Sequence, residues 1–277
     1  SPRTAHPVAA LGRRELLSSA LLAPLVSLVA PVATSAEGEV EVLAVPAVPA
    51  PELLPEPARP PPPPHVPPPP PRPSAFDFDV PFRGEPVEAS TFLGKATVVV
   101  NVKFDDPETL DQMPALQSMF GRLNKDGLNV LAFPTDQGWF EADDSNTLRL
   151  KFKSVYGFGQ YPKAVVFDKS DLLGQNALPL FAWMTKSLSN PWGVKRLVFN
   201  YEKFLLDADG LPLRRYPRKF PVALMEPDVR AALAGEALPP PSAAFERAWE
   251  DAKREATKSE YAFKPGLNYY AFGSPAS

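Results

Sequence analysis

Two runs of carboxylates are the residues of this chain best placed to do chemistry. One is Asp105-Asp106-Pro107-Glu108; the other is Asp136 with Glu141, Asp143 and Asp144. Carboxylate oxygens of this kind suit a hard cation such as calcium or magnesium, although the spacing matches no EF-hand loop. The first run has a second reading, since an acid followed by proline caps the start of a helix. Thiol chemistry is closed to the chain, because it has no cysteine. No disulfide can form, and with two histidines a zinc site of the usual kind is close to excluded. No organic cofactor is indicated. Aromatic residues gather at Trp139-Phe140 and again at Tyr261, Phe263, Tyr269, Tyr270 and Phe272. Such a patch is too apolar to stand in water. It must dock on the chain's own domain or on another protein, and aromatic anchors at interface cores favour the partner. Trp139 and Phe140 could equally fold back over a pocket of their own domain.

The elements that must position these residues follow from periodicity. Phe76, Phe78 and Val80 alternate with acids, as in a half-buried strand. Thr97–Val102 is a β-branched run suited to a central strand. A helix is expected to begin at Asp105–Glu108, with Asp106 as its cap and Leu110, Met113, Leu116, Phe120 and Leu123 as its apolar stripe. Asp126-Gly127 stops it before a strand at 128–133. Helices are expected at 145–156, with Leu148, Phe152 and Val155 inward, and at 177–188, with a short strand at 164–167 before the second. A hairpin is expected through Asp209-Gly210. Beyond Lys219, a short helix fits 226–233, and Ser242 caps another running to about Tyr261. The order predicts a three-layer α/β arrangement.

The stretches KATVVVNVKFDDPET (95–109) and LNVLAFPTDQGWFEADDSN (128–146) resemble two motifs of the glutathione peroxidase family, NVASxCGxT and LAFPCNQFxxQEPGSN. VFDKSDLLGQNALPLFAWM (166–184) and FNYEKFLLDADGLPLRRYPR (199–218) keep the family's phrasing in the family's order. The resemblance covers residues 76–220 and implies a thioredoxin-like fold. It also implies a site in which a cysteine or selenocysteine at a helix start is surrounded by Gln, Trp and Asn. Carried over, the nucleophile slot is Asp106, the Gln is Gln137, the Trp slot is Phe199 and the Asn is Asn200. A carboxylate has no reversible oxidation ladder, and phenylalanine has no N–H to donate. Gln137 and Asn200 are then relics or loop-fixing hydrogen bonders. The resemblance also places Asp105, Asp106, Asp136 and Glu141 near one end of the sheet.

The first 75 residues read as address and spacer. Arg13-Arg14 precede Leu16-Leu17, an apolar stretch to Val32 and the small residues Ala33-Thr34-Ser35-Ala36. This has the form of a twin-arginine export signal at 1–36. The stretch 16–33 just reaches spanning length, but Pro24 and Pro31 weaken an anchor. More than half of residues 46–73 are proline, so 37–75 is expected to be an extended spacer, with a PxxP ligand as the sharper alternative. The globular part, 76–220, is followed by an extension at 221–277. The net charge is −3, with no long basic run, so nucleic acid is not an expected partner. The expectation is a catalytically silent relative of the peroxidases in the thylakoid lumen of a plastid, or else in a bacterial periplasm. There it would bind a protein partner, peripheral to a membrane complex. The alternatives are a peroxidase of the same family acting in oxidative stress and an acidic-loop cation binder.

Overall fold

The computed structural model describes residues 73–138, 141–160 and 162–264. The signal-like segment, nearly all of the proline-rich spacer, Trp139, Phe140, Tyr269, Tyr270 and Phe272 lie outside the described residues. Contacts divide the chain into two units, Ser1–His65 and Val66–Ser277, and the described residues all belong to the second. Among them no helix is long and apolar enough to cross a membrane.

A five-stranded sheet forms the middle layer, in the order β5 (Ala164–Val166), β4 (Leu128–Pro134), β3 (Ala96–Val102), β6 (Lys203–Leu206), β7 (Pro212–Tyr216). β5, β4 and β3 run parallel, and β6 and β7 are antiparallel to their neighbours. Parallel strands covered on both faces need apolar residues at both parities, and β3 and β4 are buried throughout. Val98, Val100, Val102, Val130 and Ala132 face α1 (Thr109–Leu123), α2 (Ser145–Tyr156) and α4 (Glu226–Ala234). Val99, Leu131 and Phe133 face α3 (Pro179–Ser187) and the N-terminal hairpin of β1 (Asp79–Phe82) and β2 (Glu85–Glu88). This is the thioredoxin-like three-layer arrangement expected from sequence. The C-terminal extension belongs to the same core: Met225, Val229 and Ala232 pack with the sheet, and α5 (Ala243–Ala256) brings Trp249 and Ala252 against Val198 and Phe199.

Several local expectations are corrected. The strand expected from Phe76 is a single 3-10 turn over Ala75–Asp77, capped by Ser74, and pairing begins only at Asp79. Leu110 is 72% exposed: it lies in the first turn of α1, which starts at Thr109, and the buried stripe begins only at Met113 and runs through Leu116, Met119 and Phe120 to Leu123. Val155 is 61% exposed, in the last turn of α2 at the edge of the inward face that Leu148 and Phe152 form. α5 ends at Ala256 rather than near Tyr261, and the segment beyond it is tied by the Phe263 N–H to the Val198 carbonyl at 2.8 Å. The Ser242 cap is in place, its hydroxyl accepting from the Phe245 N–H at 3.2 Å.

Candidate functional site

The turn after β3 is the natural place for a site, at the carboxyl ends of the parallel strands. Asp106 sits there, 2% exposed. It is not the α1 cap expected from sequence: the N-cap position is Glu108, which makes no side-chain cap bond. Asp106 instead closes the turn ahead of the helix. Its Oδ1 accepts from the Glu108 N–H at 2.9 Å, and its carbonyl accepts from the Thr109 N–H at 2.9 Å.

The main partner of Asp106 is Arg218, which sequence reasoning missed. Arg218 donates through both terminal nitrogens, to Oδ2 at 2.7 Å and to Oδ1 at 2.6 Å. It is itself 2% exposed. Such fork-to-fork pairing is the strongest carboxylate hydrogen bonding available to a protein. Burial pushes the Asp106 carboxyl above its ordinary range, and Arg218, the Glu108 N–H and the neighbouring Asn200 amide oppose that push. Asn200 acts there without a well-formed hydrogen bond: its Nδ2 and the Arg218 Nε both lack a hydrogen-bond partner. A buried Asp demands a cation, but 214, 215 and 218 are all Arg, and spacing does not choose among them.

Arg218 lies against two aromatic rings. Its guanidinium carbon lies 5.7 Å from the centre of the Phe199 ring, the family's Trp slot, and 5.2 Å from that of Tyr261. Tyr261 reaches it because the segment after α5 is stitched down. The Phe263 N–H donates to the Val198 carbonyl at 2.8 Å, and Arg196 donates to the Phe263 carbonyl at 3.1 Å. Phe263, expected at a partner surface, is a correction: it is 1% exposed and belongs to the protein's own core. Its ring fills the space beside Gly138, where an added Cβ would meet it at 2.8 Å. Tyr261 is half-buried over the same site.

The loop carrying Phe199 is held by a second buried pair. Glu202 accepts from the Val198 and Phe199 N–H groups and pairs with Arg215 at 2.7 Å. Arg215 spends its other donors on the carbonyls of Leu188, Val194 and Arg196. Asn101 on β3 donates to the Phe199 carbonyl and to Asn200 Oδ1. Tyr201 takes φ +62°, rare for a residue with a Cβ, and its hydroxyl reaches Thr109 at 2.7 Å.

Gln137 is buried but committed elsewhere. Its oxygen accepts from the Leu172 and Leu173 N–H groups and its nitrogen donates to the Leu173 carbonyl, all at 2.8 Å. It fixes the loop after β5 and, of the two expected roles, takes the structural one.

The acidic cluster does not assemble as a cation site, which corrects that alternative. Asp106 belongs to Arg218, Asp136 to Lys169 at 3.1 Å and Asp143 to Lys151, while Asp144 caps α2 through the Thr147 N–H. Asp105 and Glu141 flank Lys103, whose ammonium donates to the Thr135 carbonyl at 3.2 Å. Burial lowers the Lys103 pKa, and Glu141, Asp105 and Asp136 oppose it; burial likewise raises that of Glu141. Among the described residues no group of three or more metal-binding side chains is placed to hold an ion.

A thioredoxin-like sheet with its site at the β3–α1 turn defines the broad class of protein. The family model described as glutathione peroxidase matches residues 76–185. Glutathione peroxidase 1 of Sus scrofa is 33% identical over 173 residues, covering 55% of this chain and 84% of the relative. Glutathione peroxidase of Molluscum contagiosum virus subtype 1 is 30% identical over 182 residues, covering 58% and 80%. The solved structure of T. cruzi GPX1 is 24% identical with a TM-score of 0.46, covering 58% of this chain and 97% of that one. The chain belongs to the glutathione peroxidase family.

Proposed function

We propose that this chain is a non-catalytic member of the family, serving as a binding or structural module of a larger assembly. One observation carries the reading. The position where the family keeps its redox-active residue holds a carboxylate that is buried and doubly bonded to Arg218. A carboxylate cannot be oxidised by a peroxide and reduced again as a thiolate is, and Asp106 is only 2% exposed. The chain has no cysteine to resolve or recycle an oxidised intermediate. The partner is a protein, and the compartment is the thylakoid lumen, with a bacterial periplasm as the alternative. Arg13-Arg14 followed by Leu16-Leu17 and the apolar stretch to Val32 supports that address. The long proline-rich spacer supports reach toward a membrane complex. Family membership, with Gln137 and Asn200 retained, favours a second reading, a peroxidase acting in oxidative stress. One assay separates the two. Purified protein with hydrogen peroxide or a lipid hydroperoxide, and glutathione or thioredoxin as reductant, is expected to stay at the uncatalysed rate. Turnover above that rate would sink the non-catalytic reading. Native purification with identification of the co-purifying subunits tests the module role; recovery as a lone monomer counts against it.

A further inference from the structure

A cleft of about 770 Å³ runs along β5, one of the two edge strands of the five-stranded sheet. That size is usual for small-molecule sites, roughly 300–1,000 Å³. β4 separates β5 from β3, after which Asp106 follows, so the cleft is distinct from the Asp106–Arg218 site.

Its lining is chemically one-sided. Phe82, Phe92 and Val165 make an apolar floor. The Phe82 and Phe92 rings meet edge to face at 5.3 Å, and both rest on Phe167. Leu150 of α2 continues this floor although it is 63% exposed. Around it stand Arg83, Arg149 and Lys153, and among the described lining residues there is no carboxylate. This concentration of cations sits in a chain of net charge −3.

Arg83 is placed against local preference. It is the first residue of the two-residue turn between β1 and β2, at φ +58°, and Gly84 follows at +88°. Such a turn favours Asn-Gly, and holding a non-glycine residue there costs about 1 kcal/mol or more. Local rules are broken most often where function demands a side chain. Asp168 braces the arrangement. One carboxylate oxygen accepts from the Gly84 N–H at 2.7 Å and the other pairs with Arg149. The Arg83 guanidinium then lies 5.1 Å from the centre of the Phe82 ring, with its charge exposed beside the apolar floor.

We propose that this cleft binds a free fatty carboxylate, its chain on Phe82, Phe92 and Leu150 and its headgroup taken by Arg83 and Lys153. Arg149 is held by Asp168, but Arg83 and Lys153 stand beside the apolar floor without a carboxylate partner, which calls for a ligand that carries both characters. A guanidinium matches a carboxylate two bonds at a time.

The test is calorimetric titration of the purified protein with decanoate below its micelle concentration. Decanol, acetate and phosphatidylglycerol vesicles are the controls. Saturable one-to-one binding of decanoate is expected, with decanol and acetate each about tenfold weaker or more. The double variant Arg83→Asn, Lys153→Gln should weaken decanoate by about tenfold or more while leaving decanol nearly unchanged. Asn suits the turn and Lys153 is exposed, so folding should survive, as an unchanged melting temperature would show. Absence of saturable decanoate binding overturns the proposal, and so does equal affinity in the double variant. Acetate binding as tightly as decanoate would mean a bare anion site. Vesicle binding that decanoate does not displace would mean a membrane surface. Either result overturns it too.

Discussion

Asp106 and Arg218, 112 residues apart, meet through two hydrogen bonds of 2.6 and 2.7 Å with both side chains out of solvent. Their desolvation is the larger influence on the carboxyl, whose pKa is raised despite the guanidinium beside it. Desolvation of a buried ion pair can cancel its attraction, so the pair need add little net stability while the loss of one partner is costly. Asp106→Ala should therefore cost about 3–5 kcal/mol, because it strands a buried guanidinium. The apolar pair Asp106→Leu, Arg218→Met should recover most of that loss. Denaturant midpoints of the two single variants and the double variant check this. An additive double variant would mean that the two residues act separately.

Lys203 predicts a pH dependence. It is fully buried, its ammonium donating to Gln112 Oε1 and to the carbonyls of Arg218 and Phe220, and burial pushes its pKa down to about 7. Between about pH 7 and its ordinary value of 10.5, the unfolded chain binds the proton more tightly than the fold does. Unfolding free energy should thus rise with pH across this window, by up to about 1.4 kcal/mol per unit from this residue. Lys103 is lowered too and adds in the same sense. Tyr201 and Tyr216 are raised above 10, so they act in the opposite sense only at higher pH. Lys203→Met should flatten the rise between pH 7 and 10, measured by urea unfolding.

Phe263 ties the end of the described chain to the domain. Phe263→Ala should cost about 3–5 kcal/mol, as removal of a fully buried ring usually does. Its loss should also loosen Tyr261 over the site. In an Asp106→Cys background, the new thiol should react with iodoacetamide faster once Phe263 is Ala. Equal labelling rates would mean that the segment does not cover the site.

Gly138 offers a steric check on the same packing. It has φ +97°, and a Cβ there would lie 2.8 Å from the Phe263 ring. Gly138→Ala should destabilise by about 1–3 kcal/mol. Shrinking the ring should relieve part of this, so Phe263→Leu ought to be less harmful in the Gly138→Ala background than alone. Thermal melts of the four proteins decide it.

Much of the fold could be read from local pattern. The β-branched run before Lys103, the stripe from Met113 to Leu123 and the Ser242 cap are set by neighbours in sequence, and all three stand as expected. Leu110 and Val155 failed because each lies near an end of its helix, three residues from Met113 and Phe152 and so at the edge of the apolar face. There burial is fixed by how far the neighbouring elements reach, not by the helix's own composition.

The family, the layer order and the absence of sulfur from position 106 could all be read from the residues alone. These rest on residue identity, motif order and periodicity, which need no coordinates. The role of Asp106 depends on packing between distant segments. Choosing Arg218 over Arg214 and Arg215 depends on where β7 ends relative to the β3–α1 turn. Arg214 goes instead to Asp228 and Arg215 to Glu202. The fate of Phe263 was likewise tertiary: an aromatic near a chain end fits a partner or its own core equally well by composition. The Val198 carbonyl and the space beside Gly138 place it in its own core. Ion pairing and ring packing are contacts between segments far apart in the chain, so their partners exist only once the sheet has brought those segments together.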